Sequence, residues 1–144
     1  MKSIVEVEID LPQDAAAELY ADPHNNPKWM HDIARYEPLR GEQGMPGSTY
    51  RLVPKEGDMV FVTSVLERNL PDELKLHLKS SDVEVDAKGT FHRLSPTQTK
   101  LVSEQVFTFK RADEETVDAA VKKDIKAAHR RHMEDFKKFA EEHG

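Results

Sequence analysis

Apolar residues stand at every second position near the start of the chain, from Val5 through Val7 to Ile9, and mostly charged residues lie between them. A period of two indicates a strand with one buried face and one solvated face. We therefore predict a first strand over residues 3–9.

The pattern becomes helical after Pro12. The Ala-rich stretch QDAAAELYA follows, and Asp22 and Pro23 end it. Proline suits the first turn of a helix, whereas a later proline opposes its continuation. We predict a short helix here and a second short one close to Trp29, the single tryptophan of the chain.

After Ile33 the helical signal disappears and six strand-like runs follow, divided by turn-forming residues. Their links are too short for the crossover that a parallel pair needs, so neighbouring strands should be antiparallel. The runs are a weak one near Tyr36 and then TYRLVP, MVFVTSVLE, LKLHLKS, VEVDAKGTFHRL and TKLVSEQVFTFK.

Two of these runs indicate which face is buried. Leucines alternate with polar residues over positions 74–78, and in the last run Ser103 and Gln105 share the parity of Phe107. Polar groups facing an apolar interior either orient a ligand or satisfy a buried partner. A register shift of one residue would instead turn Glu104 inward as a buried acid.

The run over residues 59–66 is apolar on both parities, so the pattern alone does not assign its inner face. We favour Phe61, Thr63 and Val65 as the inward residues. The other parity, which could form an exposed apolar patch or a homodimer interface, holds Val60, Val62 and Leu66.

Residues 113–143 contain neither proline nor glycine and predict one long helix, with Asp113 as its N-cap. At ~1.5 Å per residue this helix spans roughly 40 Å and needs a broad apolar surface, which the sheet can supply. Its predicted inward stripe, at steps of three and four, is Val117, Val121, Ile125, Ala128, His132, Phe136 and Phe139.

Composition restricts the function classes. A chain of 144 residues fits one domain over residues 1–144, and its net charge of −6 argues against a nucleic-acid partner. The absence of cysteine excludes disulfides, thiolate zinc sites and cysteine nucleophiles. No stretch has the apolar length of a signal peptide or of a membrane span of ~20 residues, so we expect a cytoplasmic protein without stable membrane insertion.

The order of these elements resembles the helix-grip fold of the START and birch-pollen-allergen-like (Bet v 1-like, SRPBCC) superfamily, including its polyketide cyclase/dehydrase and lipid-transport group. The segments VEVEIDLPQDAAAELYADPHNNPKWM, GEQGMPGSTYRL and SVLERNLPDELKLHL look like that group's first strand and short helices, its Gly-rich turn, and its passage between the fourth and fifth strands. The hairpin SPTQTK departs from the Gly-rich turn of many relatives, which affects the subfamily rather than the fold.

The resemblance implies an α+β domain in which a seven-stranded curved antiparallel sheet wraps around the long C-terminal helix. A cavity lies between them, and the two short helices close one end. Trp29 would line or plug the mouth of that cavity, or would simply be core. The expected ligand-binding residues are Trp29, Met30, Tyr50, Leu52, Phe61, Leu76, Phe91, Ser103, Gln105, Phe107, Ala128, His132 and Phe136.

His132 is the candidate for catalysis, because it lies within the apolar stripe and should face the cavity as a hydrogen-bond donor or general acid/base. The alternative is a core histidine satisfied by a side chain of the sheet. His129 and His132 have a spacing that can place two imidazoles on a metal ion. No second cluster completes the ligand set, and Arg130 and Arg131 oppose a cation, so we expect neither metal nor cofactor.

These observations predict binding or transport of a small hydrophobic molecule, such as a lipid, isoprenoid, polyketide or aromatic compound. One alternative is a cyclase/dehydratase-like enzyme that uses the same cavity. Another is a protein-interaction module similar to the chaperone-activating relatives. The pattern leaves the ligand, the presence of catalysis and the choice between monomer and homodimer open.

Overall fold

Seven antiparallel strands form one open sheet in the order β1-β7-β6-β5-β4-β3-β2 in the computed structural model, which describes residues 1–111 and 113–144. All six pairings are antiparallel, as predicted from the short links. The strands are β1 Lys2–Ile9, β2 Ile33–Arg40, β3 Thr49–Pro54, β4 Phe61–Asn69, β5 Glu73–Lys79, β6 Val83–Ser95 and β7 Gln98–Phe109.

Two short helices follow β1, and one long helix follows β7, which confirms the predicted helix-grip architecture. The short helices are α1 Gln13–Ala21 and α2 Asn26–Trp29, joined by a 3-10 turn over Pro23–Asn25. The long helix α3 spans Ala119–His143, after a 3-10 turn over Glu114–Thr116.

The long helix begins five residues later than predicted, because its N-cap is Asp118 rather than Asp113. The Asp118 side chain accepts a hydrogen bond of 2.8 Å from the backbone N–H of Ala120, which satisfies one of the free amide groups of the first turn.

No helix in the described ranges is long and apolar enough to cross a membrane.

Irregular pairing bends the sheet at several points. The register shifts between Val65 and Glu67 in β4, and between Arg93 and Ser95 in β6. An extra residue on one strand of an antiparallel pair increases the local twist and bends that strand. These shifts lie in strands that run beside the interior, where the sheet has to curve around α3.

The inner face of the sheet follows the predicted parities. In β4, Thr63 and Val65 are buried, so the parity that was predicted to face inward does face the interior. In β7, Leu101 and Ser103 are buried, whereas the carboxylate of Glu104 lies on the outer face between two lysines, at 3.3 and 3.1 Å. The alternative register with Glu104 inward is therefore wrong.

The interior has two apolar parts. The first surrounds β1 and the C-terminal half of α3 and includes Ile9, Leu101 and Met133. The second lies on the side of β2 to β5 and includes Ile33, Leu52 and Leu74. The first is solid core, and the cavity described below borders the second.

Four aromatic rings, which we name the aromatic cluster, join the short helices to the sheet and to α3: Tyr20, Trp29, Phe91 and Phe136. The Phe136 ring lies 5.1 Å from that of Tyr20 and 5.2 Å from that of Trp29, in edge-to-face geometry. Tyr20 also stacks on Trp29 at 5.9 Å and meets the edge of Phe91 at 5.6 Å. Pairs at these distances contribute ~0.5–1.5 kcal/mol each beyond their buried area.

The inward stripe of α3 differs from the predicted one. The buried residues of the helix are His129, Met133, Phe136, Phe139 and Ala140, and Val121 is 46% exposed. From His129 onward the helix packs against β1, where His129 bonds to Ser3 and Lys137 donates to the backbone oxygen of Glu8. The first turns of the helix, before His129, extend beyond its contact with β1. Val121 lies in these turns and is therefore exposed.

Phe136→Ala should lower the free energy of unfolding by ~3–5 kcal/mol, because it removes a fully buried ring at the centre of the aromatic cluster. Val121→Ala, on the same helix, is the matched control and should change that free energy by less than ~0.5 kcal/mol. Urea denaturation of both variants measures the difference. A large loss in Val121→Ala would show that the N-terminal half of α3 packs against the protein.

Candidate functional site

A cavity of two adjoining chambers lies between the sheet and α3. The inner chamber has a volume of about 60 Å³ and the outer one of about 240 Å³, and the outer chamber opens toward solvent. Both are bordered by Met30, Leu52, Leu78, Gln105 and His132.

The outer chamber is mainly apolar. The N-terminal half of α3 contributes Ile125 and Ala128 to its wall, and the sheet contributes Phe61, Val85 and Phe107. Its polar side chains are those of Asp32, Gln105, His129 and His132.

The inner chamber is enclosed by the short helices, β3 to β6 and the middle of α3. Its polar residues are Tyr20, Asn26, Tyr50 and Thr63, beside the shared Gln105 and His132. Trp29 and Met133 separate it from the solid core.

Ten of the thirteen residues predicted to contact a ligand line these chambers: Trp29, Met30, Tyr50, Leu52, Phe61, Leu76, Gln105, Phe107, Ala128 and His132. Three predicted residues do not. Phe91 and Phe136 lie within the solid core as members of the aromatic cluster. Ser103 is 1% exposed, and its hydroxyl group bonds to His129 instead of facing the cavity.

Trp29 is both core and cavity wall. It is 4% exposed, packs on Tyr20 and Phe136, and borders the inner chamber. Its indole Nε1–H is buried and has no hydrogen-bond partner within the described residues. The buried hydroxyl of Thr63, across the same chamber, likewise lacks a partner of good geometry in that part of the chain.

The core histidine of the long helix is His129, not His132. Its Nδ1 lies 2.8 Å from the Ser3 hydroxyl and its Nε2 lies 2.8 Å from the Ser103 hydroxyl. The predicted inward stripe contained His132 and not His129, but the helix turns His129 toward β1 and β7. Two serines on neighbouring strands then satisfy both ring nitrogens.

Burial, together with the nearby His132 and Arg130, lowers the pKa of His129 to about 4. The ring is therefore neutral near pH 7, donating from one nitrogen and accepting at the other. Ser103 and Ser3 thus have a structural partner, and this histidine is not free to transfer a proton to a ligand.

His132 lies at the mouth of the cavity and pairs with Asp32, whose Oδ1 is 3.0 Å from the His132 Nε2. The hydrogen bond from His132 lowers the pKa of the Asp32 carboxyl group. One residue earlier, His31 lies 3.4 Å from Asp135 on the next turn of α3. The segment between α2 and β2 is thus joined to the long helix by two histidine–carboxylate pairs.

Burial raises the pKa of both tyrosines that border the inner chamber, Tyr20 and Tyr50. The side chain of Ser103 partly opposes this effect at Tyr20, and those of Thr63 and Asn26 do so at Tyr50. Both phenols remain protonated at neutral pH and act as hydrogen-bond donors rather than bases.

The sequence did not indicate that Asp32 lines the outer chamber or that Asn26 lines the inner one. Both residues lie in the irregular segment around α2, where no periodicity assigns a face. Thr63 was placed on the inner face by its parity but was not selected as a site residue. That Thr63 and Trp29 line the same chamber depends on the packing of α2 against the sheet, which a strand pattern does not contain.

Other surface features fit an apolar ligand less well. A larger groove of about 650 Å³ beside α3 and β1 is shallow and lined mainly by charged side chains, among them Glu6, Arg130 and Glu134. Within the described ranges, no group of three or more His, Asp or Glu side chains could hold a metal ion.

The fold recurs in solved structures. The Zhui aromatase/cyclase from Streptomyces sp. R1128 is 15% identical, with a TM-score of 0.79 over 98% of this chain and 93% of that chain. A START superfamily protein from Mycobacterium smegmatis is 18% identical, with a TM-score of 0.75 over 99% and 95%. Norcoclaurine synthase from Thalictrum flavum, in complex with dopamine and hydroxybenzaldehyde, is 12% identical, with a TM-score of 0.71 over 100% and 89%.

No protein-family model and no curated protein matches the sequence. The similarity to solved structures confirms the START and Bet v 1-like helix-grip fold predicted from the order of the elements. At these identities it concerns the fold and not the activity.

The His129 ring should stay neutral until the pH approaches about 4, whereas His77 should titrate above its usual value, because the hydrogen bonds that its ring donates to Asp86 and Glu84 raise its pKa. Histidine resonances followed by NMR from pH 8 to 3.5 measure both, and His129→Gln assigns the first signal. A His129 signal that titrates near ~6.5, the value of an unperturbed histidine, would contradict the buried neutral ring.

The lowered pKa of His129 has a defined effect on stability. Its folded value of about 4 lies below the unfolded value of ~6.5, so the unfolded chain binds the proton first as the pH falls. The contribution of the neutral His129 ring to the stability of the fold is complete above the unfolded-state pKa and is lost as the pH falls toward the folded-state pKa. Denaturation of the wild-type protein at pH 7.5, 6 and 4.5 should show a free energy of unfolding that declines as the pH falls. This decline should be shallower in His129→Gln.

Proposed function

We propose that this protein binds a small, largely apolar molecule in the two-chamber cavity between the sheet and α3. The observation that carries the proposal is the outer chamber, a mainly apolar space of about 240 Å³ whose lining contains four polar side chains. Such a lining is typical of small-molecule sites, where apolar walls supply affinity and a few polar groups fix the orientation.

The volumes favour a compact ligand. The two chambers together lie at the lower end of the ~300–1,000 Å³ typical of ligand pockets, and a cavity of ~150 Å³ accommodates benzene. The outer chamber therefore suits one or two rings, or an aliphatic chain of similar size. Burial of the ligand would contribute ~25 cal/mol per Å² of apolar surface removed from water.

The comparisons support this reading through the fold. Norcoclaurine synthase, with the same fold, was solved with two aromatic molecules, dopamine and hydroxybenzaldehyde. Among the four classes predicted from the sequence, an aromatic compound or a compact polyketide therefore fits this chain better than a long-chain lipid.

Ala128→Trp tests the site, because its indole would fill the outer chamber from the α3 side. Ala127→Trp, at the exposed neighbouring position, is the matched control. Titration with a panel of one- and two-ring aromatic compounds, followed by heteronuclear NMR, should show binding to the wild type and the control. We expect at least a tenfold loss of affinity in Ala128→Trp, and unchanged affinity there would place the ligand elsewhere.

A cyclase/dehydratase-like enzyme is the second candidate, and the His132–Asp32 pair favours it. The imidazole borders both chambers, and its Nε2 is held by the carboxylate in the geometry of a general acid/base with an orienting partner. The Zhui structure, an aromatase/cyclase, shows that this fold is compatible with such chemistry in another protein.

Turnover assays with the wild type and with His132→Gln separate the enzyme from the carrier. For an enzyme, this variant should reduce turnover of a cyclisable polyketide analogue by ~10²–10⁴-fold while binding persists. For a carrier, product formation with the wild type should equal that of a protein-free control. Retained turnover in His132→Gln would remove this residue from the catalytic role.

The protein-interaction alternative has less support. Of the three residues proposed for an apolar patch, Leu66 is 51% exposed, whereas Val60 and Val62 are half-buried. A monomer with a ligand cavity is therefore our proposal for the working unit.

A further inference from the structure

Two buried polar atoms at the inner chamber need a partner that the described protein atoms do not supply. The indole Nε1–H of Trp29 is solely a donor, and the Thr63 hydroxyl can donate or accept. A buried donor without an acceptor is destabilising, so a ligand atom that accepts its hydrogen bond gains affinity by removing that penalty. Both residues are more than nine-tenths buried, at 4% and 0% exposure.

Neighbouring side chains do not relieve this requirement. The Tyr50 hydroxyl lies near Thr63 without making a bond of good geometry, and its pKa is raised, so it presents a proton rather than a charge. The inner chamber therefore offers hydrogen-bond donors and has no lysine or arginine in its lining.

The sizes of the chambers decide how a ligand would lie. At about 60 Å³ the inner chamber is well below the ~150 Å³ that accommodates a benzene ring, but it holds a group of one or two heavy atoms. The outer chamber, at about 240 Å³, has room for the ring. The ligand's small polar group would enter first.

We infer that the ligand class is a compact aromatic or alicyclic molecule with a neutral carbonyl group, a ketone or an aldehyde, whose oxygen accepts hydrogen bonds from Trp29 and Thr63 in the inner chamber. A carbonyl oxygen has two acceptor lone pairs and can satisfy both donors. A carboxylate fits less well, because a buried anion needs a compensating charge. This inference rests on the proposed function and adds the chemistry and the orientation of the ligand.

The test compares acetophenone with α-methylstyrene, which has nearly the same shape but carries a methylene group in place of the carbonyl oxygen. Isothermal titration calorimetry at pH 7 should give roughly tenfold tighter binding of acetophenone to the wild-type protein. Sodium benzoate, the charged probe, should bind more weakly than acetophenone.

The single tryptophan provides a direct spectroscopic signal, because the chain has one indole N–H resonance. In ¹H–¹⁵N spectra that resonance should move downfield with acetophenone, as a new hydrogen bond forms, and should move much less with α-methylstyrene. This measurement uses the wild-type protein and does not depend on whether a variant folds.

Thr63→Val and Trp29→Phe remove the two donors while retaining most of the shape. Each should reduce the preference for acetophenone to about threefold or less, with the affinity for α-methylstyrene unchanged or increased. Ser64→Ala, the next residue of β4 and outside the cavity lining, is the matched control and should keep the wild-type preference.

The outcomes separate the two proposals. Equal binding of both probes to the wild type, or a preference that survives Thr63→Val and Trp29→Phe, would overturn the carbonyl inference and leave the cavity as a binding site. If neither probe bound the wild-type protein at millimolar concentration, the proposed function would fail for this ligand class, and the inference with it.

Discussion

The packing of Tyr20, Trp29 and Phe136 is the contact on which the interior depends. These rings belong to α1, α2 and α3, and Phe91 joins them from the sheet. Four residues form α2, too few for a helix that is stable by itself, so its position is determined by what Trp29 packs against. The largest apolar side chain of the chain thus lies in its least regular segment, because that segment needs a large contact to hold it.

The same cluster marks the boundary between solid core and cavity. On one side, Phe136, Phe139 and the apolar face of β1 pack together in the solid core. On the other, Trp29 faces smaller aliphatic and polar side chains, and the two chambers remain. The sheet has to curve toward α3 on both sides, but the helix contacts it closely only from His129 onward. The residues before His129 cover the outer chamber, which is why Ile125 and Ala128 are half-buried.

The two histidines on α3 show how burial divides roles between similar residues. His129 has two serine hydroxyls as partners and a pKa lowered to about 4, so it is a neutral structural group. His132 is one turn away, at the mouth, and is paired with the carboxylate of Asp32. The first joins α3 to β1 and β7, and the second joins it to the segment before β2, so the pairs hold the helix from opposite sides of the cavity.

Periodicity determined the strands, the two short helices and the long one, because each is encoded by local alternation and by the turn residues between elements. The cavity itself was implied by the resemblance to the helix-grip fold, and the strand pattern then indicated inward residues of its wall such as Leu76, Gln105 and Phe107. The rotation of α3 was decided only by tertiary structure. A stripe of period 3.6 is wide enough to include either His129 or His132, and the serines that select His129 lie more than twenty residues away in sequence. The same holds for Asp32 and for the unsatisfied atoms of Trp29 and Thr63: their meeting depends on how an irregular segment packs across the sheet, which no local pattern records.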